Sequence, residues 1–226
     1  QLNVRGRRLA DLFIAAGRDL NHPNIKLVQT SLPIFRCPTD QGPDLLPERP
    51  DGERHFRGRH TPHYFKPATS NYMCSKGHFD KGGAFQNNGI FYGNSRVKMA
   101  EITDGTSSTF LLGERDIRCK AGTWIGARNP PGSGMWGSYM LIARTSIKLN
   151  HPLTGKHNTC TEGFSSQHPT GGNFAMADAS VHFISENIEF DNGSSSLTRN
   201  DRFPRGNTGV YQMLGARNDG LPGVEF

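Results

Sequence analysis

The sequence predicts a single α+β domain over residues 1–226, with a mainly antiparallel β-sheet, an N-terminal helix and long Gly/Pro-rich loops. The 27 glycines and 14 prolines occur without a fixed period, which excludes collagen and is typical of many turns. Short apolar segments alternate with these turn residues, as expected for a sheet protein. No apolar stretch is long enough to cross a membrane.

Individual elements follow from the spacing of the apolar residues. An amphipathic helix is predicted over residues 7–20, because apolar side chains recur there at helical spacing. Strands are predicted at 32–37, 69–74 and 106–114, the last in the centre of the sheet. A helical turn is expected at 97–102 and a brief helix at 210–214.

A β-hairpin is predicted within residues 173–185, with a two-residue turn at Asp178-Ala179. The turn length fixes which strand residues face each other. Four apolar side chains would then share one buried face of the sheet, namely Phe174, Met176, Val181 and Phe183.

Four widely spaced cysteines, Cys37, Cys74, Cys119 and Cys160, bear on the compartment of the protein. Their spacing matches no zinc-knuckle or redox motif, so we expect no metal at these cysteines. An even number of such cysteines is typical of an exported, oxidised protein. We expect the disulfides Cys37–Cys74 and Cys119–Cys160; four reduced, buried cysteines in a cytosolic protein are the alternative.

The chain is basic, with 26 Lys+Arg against 20 Asp+Glu. Basic residues cluster at 5–8 and again at 54–63, where histidines accompany them. Such clusters attract polyanions, but no recognisable nucleic-acid module lies beside them. We therefore interpret both clusters as solvated loops and expect no nucleic-acid partner.

Several segments occur in an order that carries a family resemblance. They are Phe-Arg-Cys-Pro-Thr-Asp at 35–40, Asn-Gly-Ile-Phe-Tyr at 88–92, Ile-Thr-Asp-Gly-Thr-Ser-Ser-Thr at 102–109, Gly-Glu-Arg at 113–115, and His168 with Asp178 ten positions later. From about Leu32 to its C-terminus the chain resembles the bacterial pseudopilin-like family, a family of unknown function. Its signature is a His, nine residues and then Asp-Gly, and this chain has Ala179 at the position of the glycine.

The resemblance implies a pilin-like domain on the cell surface or outside the cell. It also implies an upstream prepilin-type cleavage and methylation segment and an apolar helix that serves as membrane anchor and filament core. We expect this chain to begin after that helix, so that any membrane attachment depends on it.

At Ala179, a left-handed turn conformation would cost on the order of 1 kcal/mol relative to glycine.

The motif residues His168, Asp178, Asp104 and Gly105 are assigned structural roles. An extended chain from 172 to 178 would span about 20 Å, too far for His168 and Asp178 to act as an acid–base pair. We expect His168 to order the loop entering the strand and Asp178 the turn leaving it. Asp104-Gly105 is interpreted as a turn whose carboxylate accepts hydrogen bonds from the next amides.

Two clusters contain metal-ligand residue types. The set His55, His60, His63, His78 and Asp80 matches no zinc spacing, and nearby arginines would repel a cation. The set Asp191, Asn192, Ser194 and Asp201 offers oxygen ligands that suit calcium, which some pseudopilins hold near the C-terminus. The same residues are typical of ordinary turns, which we favour, so we expect no cofactor and keep calcium as the open alternative.

The sequence has no G-x-S-x-G, H-E-x-x-H, P-loop or dinucleotide fingerprint, and we expect a protein that is not an enzyme. We expect a structural subunit of a pilus-like or secretion-associated assembly, whose partners are copies of itself or related pilin-like subunits. The alternative is an extracellular glycan- or solute-binding module that uses Trp124, Trp136, Tyr139 and Tyr92. A metal-dependent hydrolase built on the histidine-rich set is a third, less favoured reading.

Overall fold

The computed structural model describes residues 23–47, 56–57, 64–78, 87–93, 95–126, 139–153, 159–192 and 208–220. These residues form a mixed α/β structure with antiparallel-rich sheets and short helices, which confirms the expected fold class at that level. The helix expected at 7–20 lies outside the described residues. Within those ranges, no helix has the length and apolar character needed to span a bilayer.

A five-stranded sheet forms the centre of the fold. In chain order the strands of the described residues are β1 (Phe56–Arg57), β2 (Tyr64–Phe65), β3 (Thr69–Ser70), β4 (Tyr72–Ser75), β5 (Phe110–Glu114), β6 (Gly122–Thr123), β7 (Ile142–Ala143), β8 (Gly171–Met176) and β9 (Val181–Ser185). The central sheet has the order β7-β4-β5-β8-β9, and β1-β2 and β3-β6 form two small sheets. All pairs are antiparallel except β4 with β7. The central position expected for the 106–114 segment is confirmed for β5.

Within the residues that the structure describes, every helix is short. They are α1 (Pro23–Val28), α2 (Val210–Gly215) and 3-10 helices at Pro33–Phe35, Met99–Glu101, Thr106–Ser108 and Thr159–Glu162. The expected helical turn at 97–102 and the brief helix at 210–214 are confirmed. The predicted strand at 32–37 is wrong, because Pro33 begins a 3-10 helix there; proline fixes φ near −65° and has no N–H for a strand ladder.

Aromatic rings fill the core on one face of the sheet. Phe110 and Phe174 stack with ring centroids 4.3 Å apart, and Phe164 meets Phe174 edge-on at 5.0 Å. Gly113 on β5 lies directly beneath these rings. A Cβ at that position would lie 2.5 Å from a ring carbon of Phe174 and 2.6 Å from one of Phe164. The glycine of the Gly-Glu-Arg segment is therefore required by the packing of the core.

The β8–β9 hairpin forms with a register that differs from the predicted one. The Met176 amide donates to the Ser180 carbonyl at 2.8 Å, so the loop has three residues, and Ala179 closes it with φ +71°. A one-residue slip moves every following side chain to the other face. Val181 and Phe183 are consequently 66% and 51% exposed, so the buried face predicted for them is wrong.

Candidate functional site

Three segments that are far apart in the chain bring a thiol, a carboxylate and an imidazole together. They are Cys37 after the first 3-10 helix, Glu114 at the end of β5, and His168 in the loop before β8. His168 Nε2 lies 3.5 Å from Cys37 Sγ and 3.4 Å from Glu114 Oε1. Suitable donor atoms of all three residues lie within 4.8 Å of one another. We call these residues the Cys-Glu-His group.

Cys37 is held by a turn that ends at Asp40. The Asp40 amide donates to the Cys37 carbonyl at 3.0 Å, and the Cys37 amide donates to Asn71 Oδ1 at 3.0 Å. The buried Asp40 carboxylate accepts hydrogen bonds from the Ile117 amide at 3.1 Å, from Gln167 Nε2 at 2.8 Å and from the Asn71 side-chain amide. This explains the aspartate of the Cys-Pro-Thr-Asp segment, because its carboxylate joins the turn that holds Cys37 to three other segments.

Glu114 is only 3% exposed, and its orientation is set by strand β8. Its Oε2 accepts a hydrogen bond from the Asn173 amide at 2.8 Å, and its Oε1 lies 3.4 Å from Asn173 Nδ2. A buried carboxylate that is held by a backbone amide keeps one orientation. Glu114 therefore presents Oε1 to His168.

His168 connects the Cys-Glu-His group to a cavity of about 450 Å³. Its amide donates to Ser166 Oγ at 3.1 Å, and its ring meets Phe183 edge-on with centroids 6.5 Å apart. The wall of the cavity is mostly polar and comprises Asp116, Arg118, Cys119, Asn150, His151, Pro152, Leu153, Ser165, Ser166, Gln167, His168 and Glu186. Such a wall suits a polar solute better than an apolar one.

The Cys-Glu-His group is not arranged as a nucleophilic triad. In such a triad the imidazole contacts the nucleophile through one ring nitrogen and the orienting carboxylate through the other. Here Cys37 and Glu114 both approach Nε2 of His168. A proton relay from thiol to imidazole to carboxylate is therefore unavailable in this geometry.

A second buried polar cluster lies on the other side of β5. The Arg115 side chain is fully buried, and its nitrogens donate to the carbonyls of Gly163, Tyr139 and Ile142 at 2.8, 2.6 and 3.1 Å. Burial lowers the pKa of Arg115 to about 10, so the guanidinium remains charged at neutral pH. These three bonds tie β5 to the segments around β7 and the 3-10 helix at Thr159–Glu162.

Lys76 belongs to the same cluster. It is 1% exposed, its Nζ lies 3.3 Å from Tyr139 Oη, and burial, with Arg144 adding repulsion, lowers its pKa to about 8. Arg144 is itself paired with Glu162 at 2.5 Å. Burial also raises the pKa of Tyr139 well above its usual range.

The structure places the motif residues in separate structural roles. Asp178 Oδ1 accepts hydrogen bonds from the Ser180 amide at 2.9 Å and from Ser180 Oγ at 2.7 Å, and these bonds lower the pKa of Asp178. The Asp178 carboxylate thus lies within the turn that joins β8 to β9. His168 belongs to the Cys-Glu-His group, and its amide donates a hydrogen bond to Ser166 Oγ within the loop that enters β8.

The interpretation of Asp104 needs a correction. Its carboxylate accepts hydrogen bonds from the amides of Asp219 at 2.6 Å and Gly220 at 3.1 Å, rather than from the amides that follow it in the chain. Gly105 has φ +100°, a conformation that favours glycine. The Asp104-Gly105 turn therefore fastens the segment after α2 to the body of the fold.

One of the two expected disulfides is present. Cys119 and Cys160 are bonded, with Cα atoms 5.3 Å apart, whereas Cys37 and Cys74 are free thiols. The predicted Cys37–Cys74 bond is wrong, because Cys37 is fixed beside Asn71 and Cys74 lies three strand residues farther on, roughly 10 Å away. Burial raises the pKa of the Cys74 thiol to about 11.

The aromatic residues considered for glycan binding do not line the cavity, as far as the structure describes them. Trp124 stacks on Phe35 at 6.0 Å, Tyr139 contacts Lys76, and Arg217 lies over the ring of Tyr92 at 5.6 Å. Trp136 lies outside the described residues.

The two metal clusters considered from the sequence lie mostly outside the described residues. His55, His60, His63 and Asp80 of one set, and Ser194 and Asp201 of the other, belong there. His78 is buried, which lowers its pKa to about 4. Asn192 uses its amide oxygen to accept from Gln212 Nε2 at 3.0 Å, and the calcium alternative stays a prediction.

The comparisons with known proteins bear on identity at this point. Residues 8–191 match the model of a family described as a protein of unknown function, DUF1559. The chain belongs to the DUF1559 family. No curated protein and no solved structure matches the chain. The family match covers the Cys-Glu-His group and the hairpin, so both are features of the family region of the chain.

Sequence reasoning missed the Cys-Glu-His group as a unit. Its three members are separated by tens of residues, so no local spacing motif could reveal it. A signal was nevertheless present, because each residue lies within or begins one of the segments that carry the family resemblance. Those segments are 35–40, 113–115 and the one that starts at His168.

Proposed function

We propose that the protein is a structural subunit of a pilus-like or secretion-associated assembly outside the cytoplasm, and that copies of this chain or of related pilin-like chains are its partners. Its role would be to make contacts with neighbouring subunits rather than to catalyse a reaction. The Cys119–Cys160 disulfide supports an oxidising compartment, since structural disulfides persist there. The outer edge of strand β9, with which no described strand pairs, is the observation that carries the proposal.

Strand β9 is the last strand of the central sheet, and no strand in the described part of the chain pairs with its outer side. Met176 and Ser180 form a hydrogen-bonded pair, as do Thr170 and Glu186. Because such pairs alternate along an antiparallel ladder, Val181, Phe183 and Ser185 direct their backbone groups away from β8.

The same edge carries exposed apolar side chains. Val181 and Phe183 lie two residues apart on one face of β9, with 66% and 51% of their surface exposed. Monomeric proteins usually protect an edge strand with charges, prolines or a covering element. An edge with unpaired backbone groups and apolar side chains suits strand addition from a second copy. We therefore propose that β9 of one subunit pairs with β9 of the next.

Sedimentation velocity over a wide range of protein concentrations tests this proposal. We expect the wild-type protein to form larger species as its concentration rises, and a V181K/F183K double variant to remain monomeric. Ile34 is the matched control, since it is apolar and 80% exposed but lies in a 3-10 helix rather than in strand β9. The I34K variant should assemble like wild type.

Two results would count against the assembly role. One is a wild-type protein that stays monomeric at every concentration, and the other is equal loss of assembly in I34K and the double variant. Electron microscopy with averaging, on native material from cells that make the protein, then shows whether the chain lies in a filament or lattice. Dispersed molecules under conditions that preserve known filaments would contradict the proposal.

The cavity next to His168 favours a second candidate function, the binding of a polar solute or glycan. Its volume of about 450 Å³ lies within the range of small-molecule sites. A thermal-shift screen of glycans and polar solutes tests this candidate. A true ligand should raise the melting temperature of wild type but not of an N150L variant, because Asn150 lines the cavity. Equal shifts in both proteins would place the binding elsewhere.

A further inference from the structure

We propose that Cys37, Glu114 and His168 form a binding site for a divalent zinc-class metal ion. This inference goes beyond the assembly role, which requires no metal. It also replaces the expectation that none of the cysteines binds a metal, because that expectation considered only cysteine spacing along the chain.

The two distances that involve His168 match those between ligands of a tetrahedral ion, and all three donor atoms lie within 4.8 Å of one another. A zinc ion with Zn–S of about 2.3 Å and Zn–N of about 2.1 Å would hold sulfur and nitrogen about 3.6 Å apart. Cys37 Sγ and His168 Nε2 are 3.5 Å apart. Nitrogen and carboxylate oxygen on the same ion would be about 3.4 Å apart. His168 Nε2 and Glu114 Oε1 are 3.4 Å apart, which is long for a hydrogen bond.

The chemistry of the three ligands selects the class of metal. Thiolate, imidazole and carboxylate are the ligands that zinc uses in proteins, and a thiolate disfavours magnesium and calcium. On binding, the ion would replace the proton of the Cys37 thiol, so that thiolate and carboxylate together balance its two positive charges. The group therefore suits zinc or cobalt.

Each ligand is already held in place by a neighbouring hydrogen bond. Asn173 fixes the Glu114 carboxylate, Asn71 fixes the backbone of Cys37, and Ser166 fixes the backbone of His168. In addition, Thr39 Oγ1 lies 3.0 Å from Cys37 Sγ, where its hydroxyl can donate to a thiolate. Partners of this kind orient the ligands of metal sites and raise their affinity.

Three protein ligands leave one position of a tetrahedral ion for another donor. Because His168 also lines the 450 Å³ cavity, the fourth ligand would be a water molecule or a donor group of a molecule in that cavity. The proposed metal and the cavity would thus form one site.

Cobalt titration of the metal-free, disulfide-intact protein tests the proposal. Cobalt bound to a thiolate gives a sulfur-to-metal charge-transfer band, which binding to histidines or carboxylates alone does not give. We expect one equivalent of Co²⁺ per chain to develop this band and Zn²⁺ to abolish it. The C37S and H168Q variants should bind at least ~100-fold more weakly.

The second free thiol provides the matched control. Cys74 is a free cysteine outside the Cys-Glu-His group, so C74S should retain the full band and affinity. This result does not depend on whether C37S folds, and E114Q adds a ligand variant that keeps the thiol. The proposal is overturned if wild type gives no band at excess Co²⁺, if the band is lost in C74S, or if folded H168Q and E114Q both bind as tightly as wild type.

Discussion

The side-chain Nε of Arg115 donates a hydrogen bond to the carbonyl of Gly163 at 2.8 Å, which joins two residues 48 positions apart in the chain. The remaining donors of the guanidinium reach the carbonyls of Tyr139 and Ile142. The carbonyls of Tyr139 and Gly163 belong to connecting segments, and that of Ile142 lies in β7, where the β4 amides donate to Leu141 and Ala143 instead. A single side chain therefore satisfies three backbone groups that no strand ladder serves.

Replacing Arg115 with lysine should lower the free energy of unfolding by about 3 kcal/mol, because one ammonium group cannot reach three diverging carbonyls. Urea unfolding followed by circular dichroism measures this loss. Arg118 is the matched control, since its side chain is 55% exposed and pairs with Asp116. We expect R118K to cost less than about 1 kcal/mol. Equal effects of the two substitutions would mean that the buried contacts contribute little.

The substitution A179G should raise the free energy of unfolding by about 1 kcal/mol. Ala179 has φ +71°, where the Cβ of alanine is strained and glycine is not. Thermal and urea unfolding of A179G measure the gain. The neighbouring A177G is the control, because Ala177 lacks a positive φ and glycine there should lower stability by about 0.4–1 kcal/mol. A fall in melting temperature for A179G would contradict the three-residue loop.

Lys76 should make stability rise with pH. Its pKa is about 8 in the folded protein and about 10.5 when unfolded. Between these values the unfolded chain binds the proton and the folded chain does not, so the free energy of unfolding increases with pH. The full effect corresponds to about 3 kcal/mol. Below pH 8 the buried Lys76 ammonium should lower the free energy of unfolding by this full amount. The loss should disappear as the pH rises from about 8 to about 10.5.

The measurement compares wild type with K76M by urea unfolding at several pH values from 7.5 to about 9.5. The difference between the two proteins removes contributions from other groups that titrate nearby, including Tyr139 and Cys74. The exposed residue Lys148 provides the control. The free energy of unfolding of K148M should rise with pH as it does in wild type, and that of K76M should not. An equal rise in K76M and wild type would place the Lys76 ammonium in a better solvated site.

Thiol titration should find two free thiols in the denatured, unreduced protein and four after reduction. The two reactive groups are Cys37 and Cys74, and the bonded pair is Cys119 and Cys160. Reducing a bond that spans 41 residues should lower the free energy of unfolding by about 4 kcal/mol, because the unfolded chain gains freedom. Peptide mapping after alkylation identifies the bonded pair. Four thiols before reduction would contradict both the bond and the oxidising compartment.

Local sequence patterns predicted those helices, strands and turns whose formation depends on residues close together in the chain. The apolar segment before Glu114 identified the central strand, and the spacing at 210–214 identified helix α2. The Asp178 carboxylate reaches the amide two residues on, the local contact from which a turn role is expected for a short acidic side chain. The Cys119–Cys160 pairing was also predicted correctly.

The remaining parts depend on forces that no local pattern reports. The usual two-residue hairpin turns would require a positive φ at Asp178, whereas only Ala179 has a positive φ in this loop, so the loop has three residues and the register shifts. A single proline, Pro33, was enough to convert the expected strand at 32–37 into a 3-10 helix. The Cys-Glu-His group arises from tertiary packing alone, since β5 and the loops at Cys37 and His168 meet only after the sheet has formed.

The pairing order of the central sheet sets the order in which the protein can fold. Strands β8 and β9 are connected by a short loop, whereas β5 meets β8 across more than 50 residues and β4 meets β7 across more than 60. Early pairing favours contacts that close small loops. The hairpin is thus the natural nucleus, yet the ribosome releases it only after residues 23–153. The strands before it wait for β8 and β9 to complete the five-stranded sheet, and we expect an incomplete, aggregation-prone sheet until residues 171–185 have emerged.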